Sequence, residues 1–276
     1  MAPDASELLP MSHPYRIPAG IGRVRFVVTD DIAKVGLTVG AFMSRSLRRL
    51  GIRLTGGCKG MDRTDKLDMI SYFVESFEGF EGFASSGATR NAPSDGLLDP
   101  MVTDIPAALA AAYGERVLTL STAPRTGEMA LVDDGRLVLD EYNTAPQPGV
   151  HMTIIIQPEF AHDVLNWDGD VVPYFRMFNE FIRSGSWKFG MTVWNGGLIT
   201  IDEAFKAASF GWPVFVVQGS GRGADQIIDL LQDGTPIPER EQLTLNDKLR
   251  QQFIPVQRDD PMTLRNALVA QEFITI

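Results

Sequence analysis

Three times in this chain a β-favouring run stops at a loop of small residues: GFASSGATR from Gly82 to Arg90, MTVWNGGLIT from Met191 to Thr200, and VFVVQGSGRGAD from Val214 to Asp225. After the second, Ile201, Ala204, Phe205 and Ala208 form a helical stripe opposite Asp202, Glu203 and Lys206; after the third, Ala224, Ile227, Ile228 and Leu231 form another. A strand that feeds a helix through a short loop, over and over, is the pattern of a mostly parallel sheet with helices on both faces. The sequence therefore predicts a Rossmann-like α/β fold.

The rest of the chain fits that rhythm. Arg25 to Val28 reads as a strand, followed by a helix whose face carries Val35, Val39, Phe42, Leu47 and Leu50 up to Gly51; Ile52 to Leu54 is a second strand. Asp62 is an N-cap for a helix with Ile70, Phe73, Val74 and Phe77 on one side. Asp104 and Pro106 open an alanine-rich helix that ends at Gly114, and VLTLS is the strand after it. Thr153 to Gln157 is a β-branched run suited to a strand buried on both faces, and Tyr174 to Ile182 reads as helix. EMALVDDGRLVLDEY, with Asp134-Gly135 between two apolar runs, predicts a β-hairpin inserted at a sheet edge. Leu243 to Ile276 reads as helix with a short extended piece.

Composition narrows the classes of partner. A formal net charge of −10 argues against broad nucleic-acid or anionic-membrane binding, which depends on Lys and Arg neutralising phosphate. No apolar run approaches the roughly 20 residues that span a bilayer. Residues 1–19 carry acids and prolines where a signal peptide needs a basic start and an apolar stretch, so they read as a loose tail, and residues 20–276 as one domain of a cytoplasmic protein. The lone Cys58 excludes an intrachain disulfide and multi-Cys zinc patterns, and His13, His151 and His162 have no metal-ligand spacing, so no metal and no cofactor is expected. A homo-oligomer is compatible with the sequence.

Chemistry concentrates in the three loops. The C-terminal strand ends of an open parallel sheet share one edge, so Ser86, Gly87, Thr89 and Arg90, then Asn195, Gly196, Gly197 and Thr200, then Gly219, Ser220, Gly221, Arg222 and Asp225 are candidates for one ligand crevice. Glycine permits close approach to the backbone, and the N-terminus of a following helix presents unpaired N–H groups with about half a positive charge. Such a site accepts an anion in an acidic protein. Arg222 is placed to pair with phosphate; Asp225 orders the Gly-Ser-Gly turn or binds ribose hydroxyls.

The combination GFASSGATR, VWNGGLITIDEA and PVFVVQGSGRGAD resembles the SLOG superfamily, a Rossmann-like group. It includes the Lonely Guy phosphoribohydrolases and the N-terminal ligand-binding domains of melastatin-type TRP channels, and the nearest likeness is to the prokaryotic relatives of that channel domain. It covers Gly79 to Leu231 and is most specific at Gly219, Ser220, Gly221, Arg222, Ala224 and Asp225; Ala88 replaces the second glycine of the first loop. The resemblance implies recognition of a nucleotide or nucleotide-derived signal such as ADP-ribose. It also raises an alternative, N-glycosidic cleavage of a nucleotide. Gly196, Gly197, Thr200 and Glu203 fall in register with the PGGxGTxxE motif of the Lonely Guy enzymes, whereas Asn195 replaces its proline and Ile199 its third glycine. The enzymes' upstream arginine has Arg176 and Arg183 as candidates. Cleavage needs a carboxylate beside the reacting sugar carbon, a role for Glu203 if it faces the crevice. A surface ion pair with Lys206, at i+3, is the competing account of that residue.

Overall fold

The computed structural model describes residues 25–29, 46, 48–87, 100–124, 150–156, 175, 178, 179, 182 and 187–275. The expected hairpin around Asp134-Gly135, the helix from Val35 to Leu47, and Thr89, Arg90, Arg176 and Arg183 lie outside them.

Eight strands make one sheet: β1 Arg25–Thr29, β2 Leu50–Gly57, β3 Gly82–Gly87, β4 Val117–Pro124, β5 Met152–Ile156, β6 Lys188–Asn195, β7 Val214–Gln218 and β8 Phe253–Gln257. The spatial order is β1-β5-β4-β3-β2-β6-β7-β8, and every pairing is parallel. Six α-helices with described bounds accompany them: α1 Arg63–Ser76, α2 Ile105–Tyr113, α3 Leu198–Ser209, α4 Arg222–Asp233, the single turn α5 Asp247–Arg250, and α6 Pro261–Ala270. The order β4-β3-β2-β6-β7-β8 is that of the doubly wound dinucleotide-binding fold, 3-2-1-4-5-6. From β2 the chain builds outward one way through β3 and β4, and from β6 the other way through β7 and β8. The reversal falls between β2 and β6, which pair from Leu50↔Lys188 to Gly57↔Asn195.

Both faces of β2, β3, β6 and β7 are buried, which explains their nearly continuous apolar runs. On β7, Val214 and Val216 face one core layer with α3, α4, Phe175 and Phe178, while Phe215 and Val217 face the other with α1, α2 and α6. In that second layer Phe73 of α1 packs 5.7 Å, centroid to centroid, from the ring of Trp194. Removing a buried ring of this kind costs about 3–5 kcal/mol. Burial pushes the phenol of its neighbour Tyr72 above the ordinary tyrosine range, and burial followed by the charge of Glu78 raises that of Tyr113. Among the described residues no helix is long and apolar enough to cross a membrane.

Two boundaries differ from the sequence reading. Leu50, placed on a helix face by its spacing, opens β2, and that strand continues past Leu54 to Gly57, because a central strand gains ladder partners on both sides. The extended piece beyond Leu243 is a full strand, β8, flanked by short helices. Pro255 is tolerated there because β8 is an edge.

Candidate functional site

A crevice of about 580 Å³ opens over the carboxyl ends of the strands at the reversal between β2 and β6. Arg53, Leu54, Thr55 and Gly56 of β2 form its floor with Glu203 of α3. Gly87, Val102 and Thr103 make one wall, and Gly197 to Thr200, with Arg222, the opposite one. A strand-order reversal leaves such a gap because successive helices depart to opposite faces of the sheet.

Of the residues singled out from the sequence, Gly87, Gly197, Thr200, Glu203 and Arg222 line this crevice together. Ser86, Asn195, Gly196, Gly219, Ser220, Gly221 and Asp225 are described but do not line it. The Ser86 hydroxyl donates to the carbonyls of Gly87 at 2.9 Å and Thr103 at 3.3 Å, tying the end of β3 to the turn before α2. Asn195, with φ 52°, donates its backbone N–H to Ser220 Oγ at 2.8 Å, and that hydroxyl donates to the Val217 carbonyl at 2.6 Å. Asp225 accepts the N–H groups of Gly219 at 2.7 Å and Gly221 at 3.1 Å, while the Ser220 N–H goes to the Val217 carbonyl at 3.3 Å. The three N–H groups of the Gly-Ser-Gly turn, offered to a phosphate on sequence grounds, are thus engaged within the protein. Asp225 has the ordering role of its two alternatives.

The second and third loops are fastened together. Gly223 donates its N–H to the Gly196 carbonyl at 3.2 Å, and a side chain at Gly223 would begin 3.2 Å from the Gly197 carbonyl oxygen. Gly196, at φ 86°, lies so close to Thr200 that an added methyl carbon would sit 2.5 Å from its Oγ1 and 2.6 Å from its Cβ. The first intrahelical bond of α3 runs from the Ile201 N–H to the Gly197 carbonyl. The N–H groups of Leu198, Ile199 and Thr200 precede it and are those a helix leaves for capping or for a ligand. Arg222, exposed at the start of α4 and with φ 43°, lays its guanidinium over the bare backbones of Gly57 and Gly197, the latter's would-be methyl carbon only 3.1 Å from Nη2. It forms no ion pair among the described residues.

Glu203 departs from the helical-wheel reading. It is 6% exposed and faces inward, whereas Lys206 is exposed and stands 5.3 Å over the Phe210 ring. A wheel shows which residues share a side but not where the sheet leaves a gap. Arg53 Nη2 lies 3.3 Å from Glu203 Oε1, and the Thr55 hydroxyl donates to Oε2. Arg53 and Thr55 are the residues the sequence reading missed. The signal available was the polar pair in IRLTGG, alternating with Ile52 and Leu54 just before Gly56-Gly57. Gly56 lets β2 and β6 approach closely beside the crevice, since a methyl group there would lie 2.0 Å from the Trp194 carbonyl oxygen.

No family model matches the sequence, and no curated protein is significantly similar to it. Among solved structures, the X-ray structure of TM1055 is similar in chain trace, with 13% identity over 81% of this chain and 98% of its own and a TM-score of 0.45. At that level the likeness carries no argument about function. The strand order itself defines this chain as Rossmann-like.

Proposed function

We propose that the crevice binds a nucleotide or nucleotide-derived ligand, with a phosphate at the start of α3 and beneath Arg222. The observation that carries this reading is the joint opening of the Arg222 guanidinium, which has no ion pair among the described residues, and the first-turn N–H groups of α3 onto one crevice at the strand-order reversal. Its volume falls within the range of small-molecule sites, about 300–1,000 Å³. Leu54, Val102, Leu198 and Ile199 supply apolar surface for a base, and Ile199 is 37% exposed. The resemblance to the SLOG superfamily supports an ADP-ribose-like ligand and a binding or sensing role in the cytoplasm, in which occupancy shifts a conformation or a homo-oligomeric assembly.

A thermal-shift panel of nucleoside phosphates, NAD and ADP-ribose tests it. At least one stabilises the protein; a flat response across the panel at millimolar concentration overturns the reading.

A second reading is favoured by the buried Glu203 carboxylate on the floor: N-glycosidic hydrolysis of a nucleotide, with Glu203 stabilising positive charge on the ribose or orienting water. Chromatography of the stabilising ligand after incubation separates the two. Release of free base or ribose phosphate, lost in Glu203→Ala, supports hydrolysis; recovery of intact ligand refutes it and leaves binding standing.

A further inference from the structure

Arg53 is an unusual residue for its place, a guanidinium 3% exposed in the middle of the central strand β2. Its side chain spans the reversal in the sheet. Nη1 donates to Thr122 Oγ1 of β4 at 3.2 Å, and Nη2 meets Glu203 Oε1 of α3 at 3.3 Å. Two residues further along β2, Thr55 holds the other carboxylate oxygen. Taking a guanidinium and a carboxylate out of water is costly, and apolar side chains of similar volume often stabilise a fold as well or better. Stability alone therefore does not account for the pair. What Arg53 does supply is a fixed geometry: an unbranched glutamate has three rotatable bonds, and here both of its oxygens are tethered from one rigid strand at the floor of the crevice.

We propose that Arg53 is a positioning residue that acts on the ligand through Glu203, setting the orientation of its carboxyl group at the crevice floor. A carboxylate held in place beforehand loses less rotameric freedom when a ligand hydroxyl or developing positive charge meets it. Thr122 fixes Arg53 in turn, so the position of Glu203 on α3 is referred to β4 on the far side of the reversal. The inference rests on the nucleotide-binding reading of the crevice.

Titration calorimetry of the full chain with AMP and ADP-ribose as probes tests it on wild type, Glu203→Gln, Arg53→Gln, Arg53→Lys and the double variant Arg53→Gln/Glu203→Gln. Glu203→Gln and Arg53→Gln are each expected to weaken binding by about ten-fold or more, since each disturbs a hydrogen bond to a charged group. The double variant binds no more weakly than Glu203→Gln, and Arg53→Lys, which keeps the positive charge, recovers most of the loss. A merely structural arginine gives a different pattern. Its removal weakens binding further in the Glu203→Gln background, by the same factor as in wild type, and that result overturns the proposal. So does an Arg53→Lys protein as weak as Arg53→Gln. If Arg53→Gln leaves Glu203 buried without its partner and fails to fold, the comparison of the double variant with Glu203→Gln decides alone. A wild type that binds neither AMP nor ADP-ribose overturns this inference, while the nucleotide reading falls only with a flat response across the full thermal-shift panel; binding with independent losses overturns the role of Arg53 alone.

Discussion

Replacing Gly196 by alanine isolates a steric contact on which the upper crevice wall depends. The residue sits at φ 86°, which L side chains adopt at a cost of about 1–2 kcal/mol. Its new methyl carbon would also meet Thr200 Oγ1 at 2.5 Å and both Thr200 Cβ and Cγ2 at 2.6 Å. Rotating the threonine gives no relief, because the Cβ about which it turns is itself in the clash. Overpacking of this kind adds about 1–3 kcal/mol, for a total of about 2–5 kcal/mol. Gly211 provides the control: it has φ 81° and nothing within 4 Å of an added methyl carbon. Gly211→Ala should therefore show only the conformational cost. At about this chain length 1 kcal/mol corresponds to roughly 2–4 °C in Tm, so calorimetry or circular dichroism resolves the difference. Equal Tm losses in the two variants would refute the packing of Thr200 against Gly196. Because Thr200 lines the crevice, Gly196→Ala should also weaken whichever nucleotide the thermal-shift panel identifies, while Gly211→Ala leaves its affinity unchanged.

Two further outcomes follow from the loops. Arg222→Ala changes stability by no more than about 0.5 kcal/mol, since the exposed guanidinium holds no ion pair among the described residues, yet it lowers affinity for a phosphate-bearing ligand by about ten-fold, a difference that shrinks in high salt. Asp225→Ala removes two acceptor contacts from the Gly-Ser-Gly turn and destabilises the protein by about 2–3 kcal/mol, with faster hydrogen exchange at the Gly219 and Gly221 amides.

The β–loop–α alternation made the Rossmann-like class legible from the sequence, as did the inward faces of α3 and α4, because burial on a helix repeats with a period that residue order preserves. Gly87, Gly197, Thr200 and Arg222 could be named as crevice candidates from the strand-end rule. Strand order could not be read in this way. Nothing in IRLTGG says that β2 lies beside β6, and without that neighbour Arg53 is only a charged residue in a short strand. The role of Ser220 was hidden for a related reason, and that of Asp225 stood between an ordering role and a ligand contact. The same hydroxyl or carboxylate suits a ligand or a backbone N–H, and the choice depends on where neighbouring loops come to rest.

The bond from Gly223 to the Gly196 carbonyl, reinforced by Asn195 on Ser220, makes the Arg222 side of the crevice one continuous jaw rather than two adjacent loops. A jaw already locked in place gives up little disorder on ligand arrival. Gly87, Val102 and Thr103 face that jaw across the crevice and are fastened in turn by the Ser86 hydroxyl on the Thr103 carbonyl, so a ligand meets two described walls that are already built.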